Sequence, residues 1–173
     1  MKFELTTEMK QIGITKLFRI KALISFGDVT IGDIGGYIEK EKNLSQTGEA
    51  WVYDSAQVYG EAEVFDKAWV YGEARVYGKA RVYGEARVYD NARVYGDAKV
   101  SGKARVSGNC INIQGRWNIT IMDGHIRIGC ELHTIKQWFS YGDSIISKME
   151  PSALDWWLRN RKWLKLLCET RAE

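Results

Sequence analysis

The sequence predicts a mainly β protein built on a three-sided parallel β-helix. Three observations carry that reading: a six-residue unit repeated ten times from Ala50 to Asn109, strict alternation inside each unit, and corner charges that alternate in sign at a spacing of eighteen residues. The units read AWVYDS, AQVYGE, AEVFDK, AWVYGE, ARVYGK, ARVYGE, ARVYDN, ARVYGD, AKVSGK and ARVSGN. Ala and Val stand two apart, so they share one side of a short strand, and the Arg/Trp and Tyr positions take the other. Gly or Asp follows, then a polar residue, and both Gly and Asp tolerate the backbone angles of a sharp corner. A strand this short cannot bury its Ala/Val side alone, so successive coils must stack over a common core.

Corner charges select the coil length. Three units per coil stack Glu61, Lys79 and Asp97 in one column and Lys67, Glu85 and Lys103 in another, with alternating signs. Two units per coil stack Glu61, Glu73, Glu85 and Asp97 together, and like charges in register about 4.8 Å apart are unfavourable. An eighteen-residue coil follows.

Residues 1–27 read as an N-terminal β-hairpin, with strands at Phe3 to Thr7 and Gly13 to Leu23 joined by Glu8 to Gln11. Residues 28–115 form the β-helix, opened by an imperfect coil over 28–48 that carries Val29, Ile31, Ile34 and Ile38. Terminal units of a solenoid are expected to be atypical. At the far end Cys110 keeps the Ala slot, but Asn112 between Ile111 and Ile113 breaks the pattern.

Residues 116–173 read as a C-terminal β-hairpin followed by two α-helices. Asp123-Gly124 is a two-residue hairpin signal between Trp117 to Thr120 and His125 to Ile128. Thr134 opens one helix, with Ile135, Trp138 and Phe139 on one face, and Ser152-Ala153-Leu154-Asp155 is a capping box for the other. Trp156, Trp157, Trp163 and Leu167 make that last helix apolar on much of its circumference, which demands burial on more than one side. Together with Trp138 and Phe139 they are assigned to a cap over the open end or to an interface in a homo-oligomer, two readings the residues leave open.

Composition narrows the function. The 25 basic and 22 acidic residues are spread evenly, so general binding to double-stranded nucleic acid is not expected. Three widely spaced cysteines without a Cys-x-x-Cys pair fit a reducing compartment, and no signal peptide or apolar run of membrane-spanning length is present, so a cytoplasmic location is expected. The repeat contains no His. His125 and His133 lie beyond it, no metal-ligand spacing occurs, and Gly32-x-x-Gly35-Gly36 lacks the Lys and helix of a phosphate loop. No catalytic residue, metal or cofactor is assigned.

The units resemble those of left-handed β-helix hexapeptide-repeat proteins, in which an aliphatic residue is followed four positions later by a small one, as Val52 is by Ala56 and Val76 by Ala80. The resemblance implies a left-handed coil. It does not imply one function, because that helix carries acyltransferases and non-enzymatic proteins alike. The segment from Phe26 to Ser45 followed by Val-Tyr-Gly repeats also resembles small bacteriophage and prophage proteins, which implies a setting in the host cell cytoplasm.

On the eighteen-residue register three outer walls emerge. One stacks Trp51, Trp69, Arg87 and Arg105 beside Tyr53, Tyr71 and Tyr89; a second stacks Gln57, Arg75 and Arg93 beside Tyr59, Tyr77 and Tyr95; a third stacks Glu63, Arg81 and Lys99 beside Phe65 and Tyr83. Aromatic rings beside guanidinium groups suit bases and phosphates, and they equally suit plain coverage of a strand surface through stacking and cation–π contact. The candidate binding residues are Trp51, Trp69, Tyr71, Arg75, Tyr77, Arg81, Tyr83, Arg87, Tyr89 and Arg93. The expected function is a non-enzymatic, phage-encoded binding protein that engages a host protein or an anionic, nucleotide-like ligand to counter host defence. An acyltransferase-like enzyme and a structural or virion-associated module are the alternatives.

Overall fold

In the computed structural model of the chain, residues 1–108, 110–113 and 115–169 are described, so Asn109, the last residue of the tenth unit, and residues 170–173 of the C-terminal region lie outside the described residues. Strand β1 (Phe3–Ile12) pairs antiparallel with β2 (Thr15–Ala22). The hairpin is there, but its turn is not at Glu8 to Gln11. Those residues continue β1, with Met9 opposite Phe18 and Lys10 opposite Leu17, and the chain reverses at Gly13, whose φ of 57° is left-handed. Their polarity looked like turn chemistry, yet Glu8 to Gln11 are exposed along β1, so that stretch of the strand needs no apolar face.

Strand β3 (Ile34–Ile38) pairs antiparallel with β2 on one edge and parallel with β5 (Gln57–Val58) on the other, which turns a hairpin into a solenoid. The repeat then lays two-residue strands on three faces. Face one stacks β4 (Trp51–Val52), β7 (Trp69–Val70), β10 (Arg87–Val88) and β13 (Arg105–Val106). Face two continues from β3 and β5 through β8 (Arg75–Val76) and β11 (Arg93–Val94). Face three stacks β6 (Glu63–Val64), β9 (Arg81–Val82) and β12 (Lys99–Val100), preceded by a parallel bridge from Leu44 to Val64. Four coils result, and the partners within the repeat are those expected of an eighteen-residue coil, Trp51 with Trp69 and Arg75 with Arg93.

Each coil holds the next by a parallel ladder. The Trp51 N–H donates to the Ala68 carbonyl (3.1 Å) and the Tyr53 N–H to the Val70 carbonyl (2.8 Å), and the same two bonds recur up the stack. Every Ala and Val slot from Ala50 to Val106 is buried. A buried Val contributes about 1.5–3 kcal/mol relative to an exposed one, set against the entropy of ordering the chain.

Corners are left-handed, at Gly78 (φ 73°) and Gly84 (φ 68°) as at Asp54, Asp66 and Asp90. A Cβ at Gly84 would lie 2.9 Å from the Gly102 nitrogen of the next coil, so the stack itself selects Gly there. Where Asp replaces Gly its carboxylate is used: Asp54 and Asp66 accept from the Gly72 and Gly84 N–H groups of the coil above, both at 3.1 Å.

Both open ends are closed by polar groups as well as apolar ones. At the bottom the Lys2 ammonium donates to the Ala50 carbonyl (2.8 Å), and the Asn43 amide, in a short 3-10 turn (Glu41–Asn43), donates to Gly60 and Ala62 carbonyls. Phe3 and Phe26 pack edge-on against the buried Trp51 ring. Gly35 is explained by this packing: a Cβ there would meet Trp51 and Ile20 at 2.8 and 2.6 Å.

At the top, β14 (Ile111–Ile113), β15 (Ile119–Met122), β16 (His125–Ile128) and β17 (Glu131–Thr134) form an antiparallel meander, a larger sheet than the expected hairpin. The Asp123-Gly124 turn is where the sequence placed it, between Met122 and His125. One face of this sheet lies on the solenoid, with Met122 in the solenoid core and the Asp123 carboxylate accepting from the Ser107 N–H (2.5 Å) and hydroxyl (2.7 Å). The other face carries Ile119, Ile121, Ile126 and Ile128 and is covered by helices. These are α1 (Ile135–Ser140), α2 (Asp143–Met149) and α3 (Ala153–Glu169).

Thr134 caps α1 in a box with Gln137. The Ser152 capping box does not form: the Ser152 hydroxyl donates to Glu150 (2.6 Å), and Asp155 pairs with Arg159 (3.0 Å). A third helix, α2, had no apolar rhythm strong enough to be read.

Candidate functional site

The three walls differ in how far their charges are satisfied. On face three Arg81 pairs with Glu63 (3.3 Å) and lies over the Phe65 ring (5.1 Å), while Tyr83 stacks on Phe65 at 5.0 Å. That wall is largely neutralised from within. On face one Arg87 lies over the Trp69 ring (4.5 Å), and Tyr71 stacks on Tyr89 at 5.3 Å. Asp28, Tyr53, Asp54, Trp69, Tyr71 and Arg87 line a shallow recess of about 300 Å³. Trp51, assigned to the same binding column, is corrected: it is buried, because the N-terminal segment closes over the first coil.

Face two is different. Tyr59, Tyr77 and Tyr95 form an unbroken stack, with centroids 5.1 and 5.5 Å apart. Beside it Arg75 pairs in register with Gln57 below and Arg93 above. Among the described residues neither Arg75 nor Arg93 has a carboxylate within ion-pair distance, whereas Lys67 is held by Glu49 at 3.2 Å. Burial raises the Tyr59 hydroxyl above its ordinary value of 10.0, and charge repulsion from the neighbouring Tyr77 hydroxyl adds to the rise, while the Arg75 and Arg93 charges oppose it. Tyr59 thus remains neutral beside a column of fixed positive charge.

The row extends beyond the repeat. Arg19 on β2 lies opposite Tyr37 on β3, which lies opposite Gln57, so Arg19, Tyr37, Gln57, Arg75 and Arg93 cross one continuous sheet. Arg19 donates to the Tyr37 hydroxyl (2.9 Å) and to Glu8 (3.2 Å). Arg19 and Tyr37 were missed from the sequence because the first coil is longer: Tyr37 stands twenty residues before its partner, outside the regular register.

The residues assigned to the cap or to an interface separate into two groups. Trp138 and Trp157 are buried between the meander and the helices, with Phe139, Trp156 and Leu167 packed against them. Trp163 is exposed on α3, its indole N–H donating to Asn160 (2.8 Å). Trp117, Trp138, Trp156 and Trp157 line a cavity of about 140 Å³. His133 is held between Glu131 and Tyr141, at 3.1 Å from each, and His125 lies 3.1 Å from the Asp123 carbonyl. Among the described residues no cluster of three His, Cys, Asp or Glu could hold a metal, and no helix is long and apolar enough to cross a membrane.

No curated protein matches the chain. A family model described as "YdcK Beta solenoid repeat" matches residues 86–102, a coil's length within the stack of β10 to β12. Over those residues the chain is similar to YdcK-type repeats, and the molecule around them is a parallel β-solenoid of about four coils.

Proposed function

We propose that the chain is a non-enzymatic β-solenoid binding protein whose face two receives an anionic partner, either a nucleotide-like ligand or an acidic surface of a host protein. One observation carries this: Arg75 and Arg93 stand in register with no carboxylate within ion-pair distance among the described residues, along a continuous ladder of three tyrosines. Two arginines in register on strands about 4.8 Å apart bring like charges together, and a bound anion relieves that repulsion while the rings offer planar faces for stacking. The resemblance of the leading segment to phage and prophage proteins supports a setting in the host cytoplasm, where such a protein counters a host defence. Self-association is assigned to the outer side of the helices, where Ile145, Leu158, Trp163 and Leu166 are exposed.

Native mass spectrometry of the protein recovered from its host cells tests the reading. A bound anionic ligand or acidic protein is expected, and it should be lost from Arg75→Ser with Arg93→Ser. Recovery of both proteins free of any partner would contradict it. An acyltransferase-like activity predicts instead a thermal shift with coenzyme A thioesters, and none is expected here.

A further inference from the structure

Where the meander settles on the solenoid it leaves a polar cleft of about 250 Å³, lined by Asp97, Lys99, Arg116, Trp117, Thr120 and Arg127. Arg127 is the unusual member. Only 8 % exposed, it is held from behind: one guanidinium nitrogen donates to the Cys130 carbonyl (3.1 Å) and another to the Ser101 hydroxyl, while Nε has no hydrogen-bond partner among the described residues. Among the described residues no carboxylate lies within ion-pair distance of it. A buried charge with only neutral acceptors is costly, and removing one member of a normal buried pair produces this same situation.

Two further cations face the cleft. Lys99 rises from face three at the top coil, and Arg116 lies over the Trp117 ring (5.1 Å) with a loose contact to Glu150 (3.9 Å). Among the described residues Asp97 is the single acid in the lining, so three cations stand against one anion there. Thr120 adds a hydroxyl, 3.4 Å from the Lys99 N–H.

We infer that this cleft is a binding site for a small phosphate-bearing molecule, whose phosphate supplies the counter-charge that Arg127 lacks. The volume is that of about eight liquid waters, enough for a diphosphate group. Arg127 presents a fixed guanidinium, and Lys99 and Arg116 close on the anion from the rim, with Arg116 leaving Glu150 to do so. The site is separate from face two and does not depend on the function proposed for it.

Inorganic pyrophosphate is the probe, measured by calorimetry and by thermal unfolding against sodium chloride at matched ionic strength. One equivalent should bind and raise the melting temperature. Arg127→Met should abolish the rise and, without pyrophosphate, unfold no earlier than the parent chain, because it removes an uncompensated buried charge. The rim variant Lys99→Ser with Arg116→Ser leaves Arg127 in place and should weaken pyrophosphate by about tenfold or more, as expected for the loss of charge-assisted hydrogen bonds. Arg81→Ser with Lys67→Ser, which removes two cations already paired with Glu63 and Glu49, should leave pyrophosphate binding unchanged. The inference is overturned if pyrophosphate acts no differently from chloride, or if the rim variant binds it as well as the parent.

Discussion

The repeat and its two ends face the same physical problem in different ways. Inside the repeat each coil's N–H groups and carbonyls are satisfied by the coils above and below, so no single side chain is indispensable to the ladder. At the ends there is no further coil, and individual side chains take its place: Lys2 and Asn43 for carbonyls at the bottom, Asp123 for an N–H at the top. Exposed sheet edges are hazards that proteins cover, and here the covering depends on a few named polar groups. Stability should therefore be robust to change in the middle and sensitive at the ends.

The largest effect is expected in the C-terminal layer. Trp157 is buried against Trp138 and Phe139, and Trp157→Ala should cost about 3–5 kcal/mol, read by chemical denaturation. If the solenoid and its cap unfold together, one transition shifts; if the cap unfolds alone, a separate earlier transition appears. Asp123→Ala removes one carboxylate that accepts two hydrogen bonds from Ser107, and about 1.5–3 kcal/mol should be lost.

At the bottom, burial lowers the Lys2 ammonium from 10.5 to about 8. Between pH 8 and 10 the unfolded chain holds more protons at this site than the folded one, so stability should rise with pH, by about 1–3 kcal/mol. Above pH 10 the sign reverses, because Tyr53, Tyr59 and Tyr71 are raised by burial and keep protons that the unfolded chain releases. Lys2→Met should abolish the rise and leave the fall, measured by urea melts across that range. Within the repeat, Glu63→Gln breaks the exposed pair with Arg81 and should change stability by less than about 1 kcal/mol. A larger loss there than at Asp123 would reverse the comparison between middle and ends.

Periodicity made the repeat legible. Because Ala, Val and Gly recur every six residues and corner charges alternate every eighteen, inside, outside and coil length could be read directly, and with them the three walls. What was not legible is where the period fails. Trp51 looks like any other second position of a unit, and only the packing of Phe3 and Phe26 over the first coil shows that it is buried. Tyr37 belongs to the face-two row, but its longer coil hides it from an eighteen-residue register. The meander's outer strands and α2 are too short or too mixed in polarity to declare themselves, and the burial of Arg127 depends on neighbours such as Ser101, far away in sequence. Nor does the repeat itself distinguish the walls. That distinction depends on which arginine finds a carboxylate, and the partners come from different coils.

The central claim is that face two is a binding surface because its charge is uncompensated, and two charge-matched variants test it most directly. Arg75→Ser with Arg93→Ser removes two cations that have no carboxylate partner among the described residues; Arg81→Ser with Lys67→Ser removes two that are paired with Glu63 and Glu49. Titrating each with a fluorescent single-stranded oligonucleotide at fixed salt separates location from net charge. The face-two variant should bind about tenfold or more weakly than the parent, and the other should stay within about threefold of it. Equal losses in both, or no loss in either, would contradict the claim.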